Sequence, residues 1–300
     1  MLGTRLIIGF AMVGLVLLVL CLDEWLFPWF PLWFLFTTAV VGSAALELVG
    51  LMRETSARPS GNTVFGGVMA LALANWVPHL VEQLHAGPLS TGDPMAPISA
   101  LAWPFLTFVG VVMFAFVVQS AQFKKPGVTL ATIAGSVLAV AYIGLLSTFI
   151  VQLRWFDGRY HGLVPLTYLI ATAKGADTGA YTLGRIAGKH KLWPRLSPNK
   201  TIEGAFGGLI AGMGAALIVE AVVRYALHAV SLGWVSAAVF GLIVGSAAQL
   251  GDLMESMIKR DCLRKDASEA VPGFGGVLDV LDSLLFAGPV AFGYWLWFAP

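Results

Sequence analysis

Gly251-Asp252-Leu253-Met254-Glu255-Ser256, followed by a polar loop and then by Gly275-Gly276-Val277-Leu278-Asp279-Val280-Leu281-Asp282, decides how the rest of the chain is read. It joins two strongly apolar segments and places acids at the mouth of each. A carboxylate within a bilayer costs roughly 2 to 3 kcal/mol even on lenient insertion scales, so such acids face a polar cavity or bind a cation. Between them lie Lys259, Arg260, Arg264 and Lys265. Metal ligands beside anion ligands are what phosphoryl or nucleotidyl transfer requires.

Working outward, the apolar character extends over the whole chain. Of 300 residues, 58% are hydrophobic and only 12% charged, with a mean hydropathy of +0.82. A soluble domain carries about 25% charge, so the sequence predicts an all-α polytopic integral membrane protein. A spanning helix needs about 20 apolar residues. Nine segments qualify, at about 5–22, 26–51, 63–84, 98–120, 128–152, 162–184, 204–223, 232–251 and 276–298.

Lysine and arginine collect on the cytoplasmic side of membrane proteins. With the N-terminus inside, nine spans put fourteen of the eighteen Lys and Arg residues on one side. Arg154, Arg159 and Arg224 fall on the other, and Lys174 lies within a span. The expected topology is therefore N-terminus cytoplasmic and C-terminus outside. Leu20 is too large for a cleavage site after the first apolar run, so that run is read as a retained helix. Cys21 and Cys262 form neither a disulfide framework nor a metal motif.

The ionisable residues divide the chain. Residues 1–160 read as scaffold helices and 161–300 as the catalytic region of one continuous membrane domain. In the scaffold, Glu47 stands out inside the second span and needs either a structural partner or a site. In the sixth span, Lys174 and Asp177 are three apart and share a helix face, as a self-neutralising pair or as the wall of a polar cavity. The loop that follows holds five basic residues from Arg185 to Lys200. Its plainer role is to mark topology and attract anionic lipid. Ser197-Pro198-Asn199-Lys200-Thr201 adds hydroxyls, a point charge and a helix start near Gly204, all suited to phosphate, while Glu203 can cap that helix. Asp252 and Ser256 share one face of the eighth helix, with Lys259 a turn further on, and Asp279 and Asp282 share a face of the ninth. If those faces meet, the carboxylates repel one another unless a divalent cation compensates, and oxygen ligands of this kind suit Mg²⁺. Gly273, Gly275 and Gly276 allow close backbone approach there.

Taken in order, these residues resemble the phosphatidate cytidylyltransferase family, the CDP-diacylglycerol synthases. The resemblance runs from about Lys174 to Ser283. It is carried by Ala176-Asp177-Thr178-Gly179-Ala180-Tyr181, Gly188-Lys189-His190-Lys191, Ser197-Pro198-x-Lys200-Thr201-x-Glu203-Gly204 and Gly251-Asp252-Leu253-x-Glu255-Ser256. Ser256-x-x-Lys259-Arg260, Lys265-Asp266, Pro272-Gly273-x-Gly275-Gly276 and Asp279-x-x-Asp282 complete it. It implies transfer of a cytidylyl group from CTP to phosphatidate with Mg²⁺, and leaves open whether a second cation joins it. It also implies Asp252 and Asp279 as metal ligands and catalytic residues together with Lys259 and Asp177. Ser197, Lys200, Thr201, Ser256, Arg260, Lys265 and Asp282 would bind substrate. Two positions depart from the family: Phe274 stands where histidine is usual and Val280 where arginine is usual. The acids and the basic run are kept, which favours a working variant.

The resemblance further implies membrane lipid as partner, no nucleic acid, homodimerisation, and a bacterial inner membrane with the site facing the cytoplasm. Gly207, Gly208, Gly212 and Gly214 would permit close helix contact, between or within subunits. The competing readings are a proton-coupled carrier using Glu47, Lys174 and Asp177, and a related kinase or transferase acting on an isoprenoid alcohol. A carrier is expected to show two similar halves, whereas the acids and glycine-rich loops here concentrate in the second half.

Overall fold

The computed structural model describes residues 2–27, 29–85, 96–123, 126–156, 162–271 and 275–298. Lys124, Lys125, Arg159, Pro272, Gly273 and Phe274, all used in the sequence reading, lie outside the described residues, as does the side chain of Arg5. The fold is helical: α1 (Leu2–Asp23), α2 (Pro31–Met52), α3 (Gly61–Ala74), α4 (Val77–His85), α5 (Ala96–Ala121), α6 (Thr129–Ala139), α7 (Leu146–Gln152), α8 (Leu163–Ala187), α9 (Ile202–Val222), α10 (Trp234–Asp261) and α11 (Leu278–Phe298). Among the described residues, seven helical runs are long and apolar enough to cross a bilayer. This is an all-α integral membrane protein. The other two expected segments are also single helices, α1 and the Lys174-bearing α8.

Two expected spans are less regular than the apolar pattern suggested. The third is broken between α3 and α4, where Pro78 can neither donate an N–H nor tolerate the carbonyl four residues back. The break leaves polar backbone in an apolar setting, and buried side chains satisfy it. Gln152 donates to the Asn75 carbonyl and side-chain oxygens at 2.9 and 3.0 Å, and Asn75 donates to Leu71 O at 2.8 Å. The fifth run passes through a π-helical stretch, Val140–Leu145, between α6 and α7.

The chain forms two compact units, residues 1–152 with 261–281, and residues 153–260 with 282–300. In the first, α3 lies against α2, α5 and the π-helical stretch, around Leu48, Val64, Val68, Leu71 and Ile143. Buried Asp23 accepts from Leu32 N and Trp33 N, both at 2.9 Å, and so anchors the start of α2. In the second, α8 and α9 make the most extensive helix pairing. Glycines let their backbones touch: a Cβ on Gly207 would strike Leu183 and the Gly179 carbonyl, and one on Gly208 would strike the Gln249 side chain and the Ala176 carbonyl. Gly212 likewise faces Ala176 and Gly241, so three of the four glycines considered for subunit contact serve packing within the chain; only Gly214 has no atom within 4 Å of its Cβ position. Fully buried Glu220 accepts from Tyr168 Oη at 2.5 Å and Gly233 N at 3.2 Å, which ties the α9–α10 connection to α8.

The basic loop between α8 and α9 is a small antiparallel hairpin, β1 (Lys191–Trp193) and β2 (Ser197–Thr201). Helix α9 begins two residues before Gly204, with the Thr201 hydroxyl accepting from Gly204 N at 3.1 Å. Glu203 does not cap it. Its carboxylate turns back to accept from Lys189 N at 3.0 Å and His190 N at 3.2 Å, and meets His190 Nδ1 at 2.6 Å. Thr201 already fills the capping position, which leaves the Glu203 side chain to pin the hairpin's base.

Candidate active site

Helix α10 is the axis of the site. It runs 28 residues without interruption, so Asp252, Ser256 and Lys259 do follow one another up a single helix. Gly251 lies against the carbonyl of Asp282, where a Cβ would overlap the α11 backbone. That close approach brings Asp252 and Glu255 of α10 together with Asp282 of α11, with one oxygen from each inside a 4.8 Å circle. Glu255 and Asp282 are buried and Asp252 is partly open. Lys259 forms an ion pair with Glu255 one turn away.

Two further groups join from α8. Lys174 Nζ lies 3.0 Å from Asp177 Oδ2 and donates to Ser283 Oγ at 3.0 Å, while Ser283 Oγ donates to the same Asp177 oxygen at 3.1 Å. Ser283 N in turn donates to Asp282 Oδ1 at 2.5 Å. The α8 pair is thus tied to the α11 acid through one serine. On the other flank, Lys200 of β2 reaches Asp252 Oδ2 at 2.8 Å. Arg260 donates from Nε to Leu196 O at 3.4 Å, holding the tip of the hairpin to the end of α10.

Between α8, the hairpin and α10 lies a cavity of about 510 Å³, within the 300 to 1,000 Å³ usual for small-molecule sites. Asp177, Ser197, Lys200, Thr201 and Asp252, expected from the sequence, line it, together with Tyr181, Arg185, Asn199 and Gln249. Acids and cations therefore share its lining. Thr201 is buried, with its hydroxyl accepting the α9 cap bond.

Lys265 and Asp279 belong to the other unit. Lys265 is exposed on the loop. Asp279 Oδ2 accepts from Gly276 N at 2.6 Å and Ala267 N at 3.0 Å, both backbone donors of its own loop. Glu47 is engaged in the same way, accepting from Val277 N at 3.0 Å, Leu278 N at 2.8 Å and Ser268 Oγ at 2.7 Å. These two carboxylates explain the glycine pair: a Cβ on Gly275 would meet Asp279 and one on Gly276 would meet Glu47. Gly275 also needs its positive φ of 107°. Val280 sits half-buried in the first turn of α11.

The sequence alone gives no site role to Glu255, Arg185 or Gln249. Glu255 had a signal, since it lies three residues from Asp252 on the same helical turn. Arg185 reads in the sequence as one of the charges that mark topology. Gln249 stands one turn before Asp252 and donates to Ala205 O at 3.2 Å.

Fold and site together define a helical membrane protein whose half-buried Asp177 and Asp252 meet a basic hairpin at one cavity. The model of the cytidylyltransferase family matches residues 3–298, and the chain belongs to that family. It is 36% identical over 206 residues to the phosphatidate cytidylyltransferase of Staphylococcus aureus (strain COL), covering 69% of this chain and 71% of that protein. It is 34% identical over 198 residues to that of Staphylococcus epidermidis (strain ATCC 12228 / FDA PCI 1200), covering 65% and 72%. Against the phosphatidate cytidylyltransferase of Bacillus subtilis (strain 168) the identity is 38% over 152 residues, covering 51% and 54%.

Proposed function

We propose that this protein transfers the cytidylyl group of CTP to phosphatidate, giving CDP-diacylglycerol and pyrophosphate. The observation that carries the reading, beside family membership, is the Lys200–Asp252 pair at 2.8 Å, where the basic hairpin meets the acid cluster on the wall of the cavity. A lysine that can move from a carboxylate to a phosphate keeps the charges in balance before and after substrate binds.

In this reading, an ionised oxygen of the lipid phosphate attacks the α-phosphorus of CTP, and the bond to the bridging oxygen of pyrophosphate breaks. The attacking group is already anionic near neutral pH, so it needs no strong base. What it needs is positioning and relief of charge. Lys200 and Arg185 face the triphosphate, while Ser197 and Asn199 position it. Lys174 keeps Asp177 neutralised and, through Ser283, orients Asp282. Lys259 balances Glu255.

Three carboxylates of which two are buried form a hard oxygen donor set, which fits Mg²⁺. Asp252, Glu255 and Asp282 would hold it, and the ion would supply charge neutralisation for the phosphates. For Asp279, assignment to the metal rests on the family resemblance alone; its backbone partners favour a role in anchoring the loop. Nine spans, a cytoplasmic N-terminus, a site facing the cytoplasm of a bacterial inner membrane, and homodimerisation complete the proposal. The carrier reading is not favoured, because Glu47 is engaged by backbone donors and Lys174 is paired with Asp177.

The test is pyrophosphate release by purified protein given CTP and phosphatidate, with and without Mg²⁺. Release that requires both substrates and the metal is expected. Release without phosphatidate, or none from folded protein, would overturn the reading.

A further inference from the structure

Glu47 lies far from the basic hairpin in sequence, on a helix that the sequence reading assigned to scaffold. Its carboxylate nevertheless binds the start of α11, the helix that carries Asp279 and Asp282. The first N–H groups of a helix have no partner within it and attract negative charge. Here the anion at that position is the chain's own: Glu47 takes Val277 N and Leu278 N on separate oxygens and adds the Ser268 hydroxyl. Gly276 leaves space for it, since a Cβ there would overlap the carboxylate. From the other side, Asp279 takes Gly276 N and Ala267 N. Two carboxylates thus hold the loop between α10 and α11 by five donors.

We infer that Glu47 is a positioning residue for the reaction: by fixing the first turn of α11 it sets the angular register in which Asp282 is presented. A helix is a stiff rod, so a rotation of its first turn carries Asp282, one turn further on, with it. A capping side chain commonly accepts from one of the orphan N–H groups at a helix start, whereas Glu47 accepts from two successive ones. Using both oxygens on successive N–H groups fixes direction as well as position. This role rests on the cytidylyltransfer reading above.

The experiment compares Glu47→Gln and Glu47→Asp with the unsubstituted protein in three readouts. These are thermal stability, hydrogen–deuterium exchange of the 275–279 amides, and the separate kcat and KM of CTP- and phosphatidate-dependent pyrophosphate release. Glutamine keeps the size but offers one oxygen and a competing NH₂ group. Expected for Glu47→Gln are an unchanged melting temperature, faster exchange confined to that segment, a kcat lowered about tenfold, and an unchanged KM for CTP. Glu47→Asp, which keeps the charge on a shorter arm, should recover part of the kcat. Faster exchange with kcat unchanged would overturn the positioning role, and so would activity falling only in step with the folded fraction. Unchanged exchange would overturn the contact itself. Absence of CTP-dependent release in the unsubstituted protein would instead remove the functional reading, and is seen before any variant is compared.

Discussion

Gly251 rests against the carbonyl oxygen of Asp282, backbone to backbone, so α10 and α11 meet most closely where their acids stand. Any side chain at position 251 must push the two helices apart. Gly251→Val is therefore expected to reduce turnover at least 100-fold and to cost about 1 to 3 kcal/mol of stability, the usual penalty of overpacking. Pyrophosphate release and thermal denaturation in detergent check the two parts separately. An active, stable valine variant would show that the close approach is dispensable.

Asp252→Asn removes one acid of the cluster and the partner of Lys200. Loss of a charged group at a transfer site lowers rates by about 10² to 10³, and a fall of that order in kcat is expected. The protein should remain folded, because Asp252 is partly open to solvent. Thermal stabilisation by added Mg²⁺ should also weaken. A variant with full Mg²⁺ response would take Asp252 out of the donor set.

Lys200→Ala leaves Asp252 without its counter-charge and takes a cation from the cavity wall. The expected signature is a KM for CTP raised about tenfold, one charge-assisted contact on the order of 1.4 kcal/mol. Steady-state kinetics with CTP varied at fixed phosphatidate measures it. An unchanged KM would mean that Lys200 serves only as the partner of Asp252.

Glu203→Ala should free the base of the hairpin by removing the acceptor of Lys189 N and His190 N. Faster limited proteolysis between Lys189 and Lys200 is expected, with a higher KM for CTP and little change in melting temperature. Proteolysis at the original rate would show that strand pairing alone holds the hairpin.

Lys174→Met leaves Asp177 without its 3.0 Å partner and interrupts the link through Ser283. Breaking a partly buried pair by removing one member is costly, commonly 3 to 5 kcal/mol in full burial and about half that here. A lower melting temperature and a kcat reduced more than 100-fold are expected. The double variant Lys174→Met with Asp177→Leu should regain stability but not activity, a contrast that denaturation and turnover assays resolve.

Much of this was legible in the sequence because the bilayer imposes a simple rule. Apolar length located the helical runs but not the interruptions between α3 and α4 and between α6 and α7, and the acids of α10 and α11 announced themselves by their cost in that setting. What the sequence hid was direction. Asp23, Glu47, Glu203 and Asp279 are chemically the same kind of group as Asp177, Asp252 and Glu255, yet the first four accept backbone N–H groups while the last three pair with lysines. Spacing places a carboxylate on a helix face but does not say whether an amide or a cation stands opposite. For Glu47 that partner lies 231 positions away from it in the chain. The hairpin was hidden for another reason: strands of three and five residues carry too little alternation to read.

Helix α10 has a further consequence. At 1.5 Å per residue its 28 residues extend about 42 Å, some 12 Å more than a hydrocarbon layer of about 30 Å. In the proposed membrane placement, that excess would extend the end of α10 that carries Glu255 and Lys259 toward the headgroup layer. Its height above the hydrocarbon would then depend on the host bilayer as much as on the protein. A thicker bilayer would draw the acids down and a thinner one would lift them clear, which makes the lipid both the feedstock and the ruler of this site.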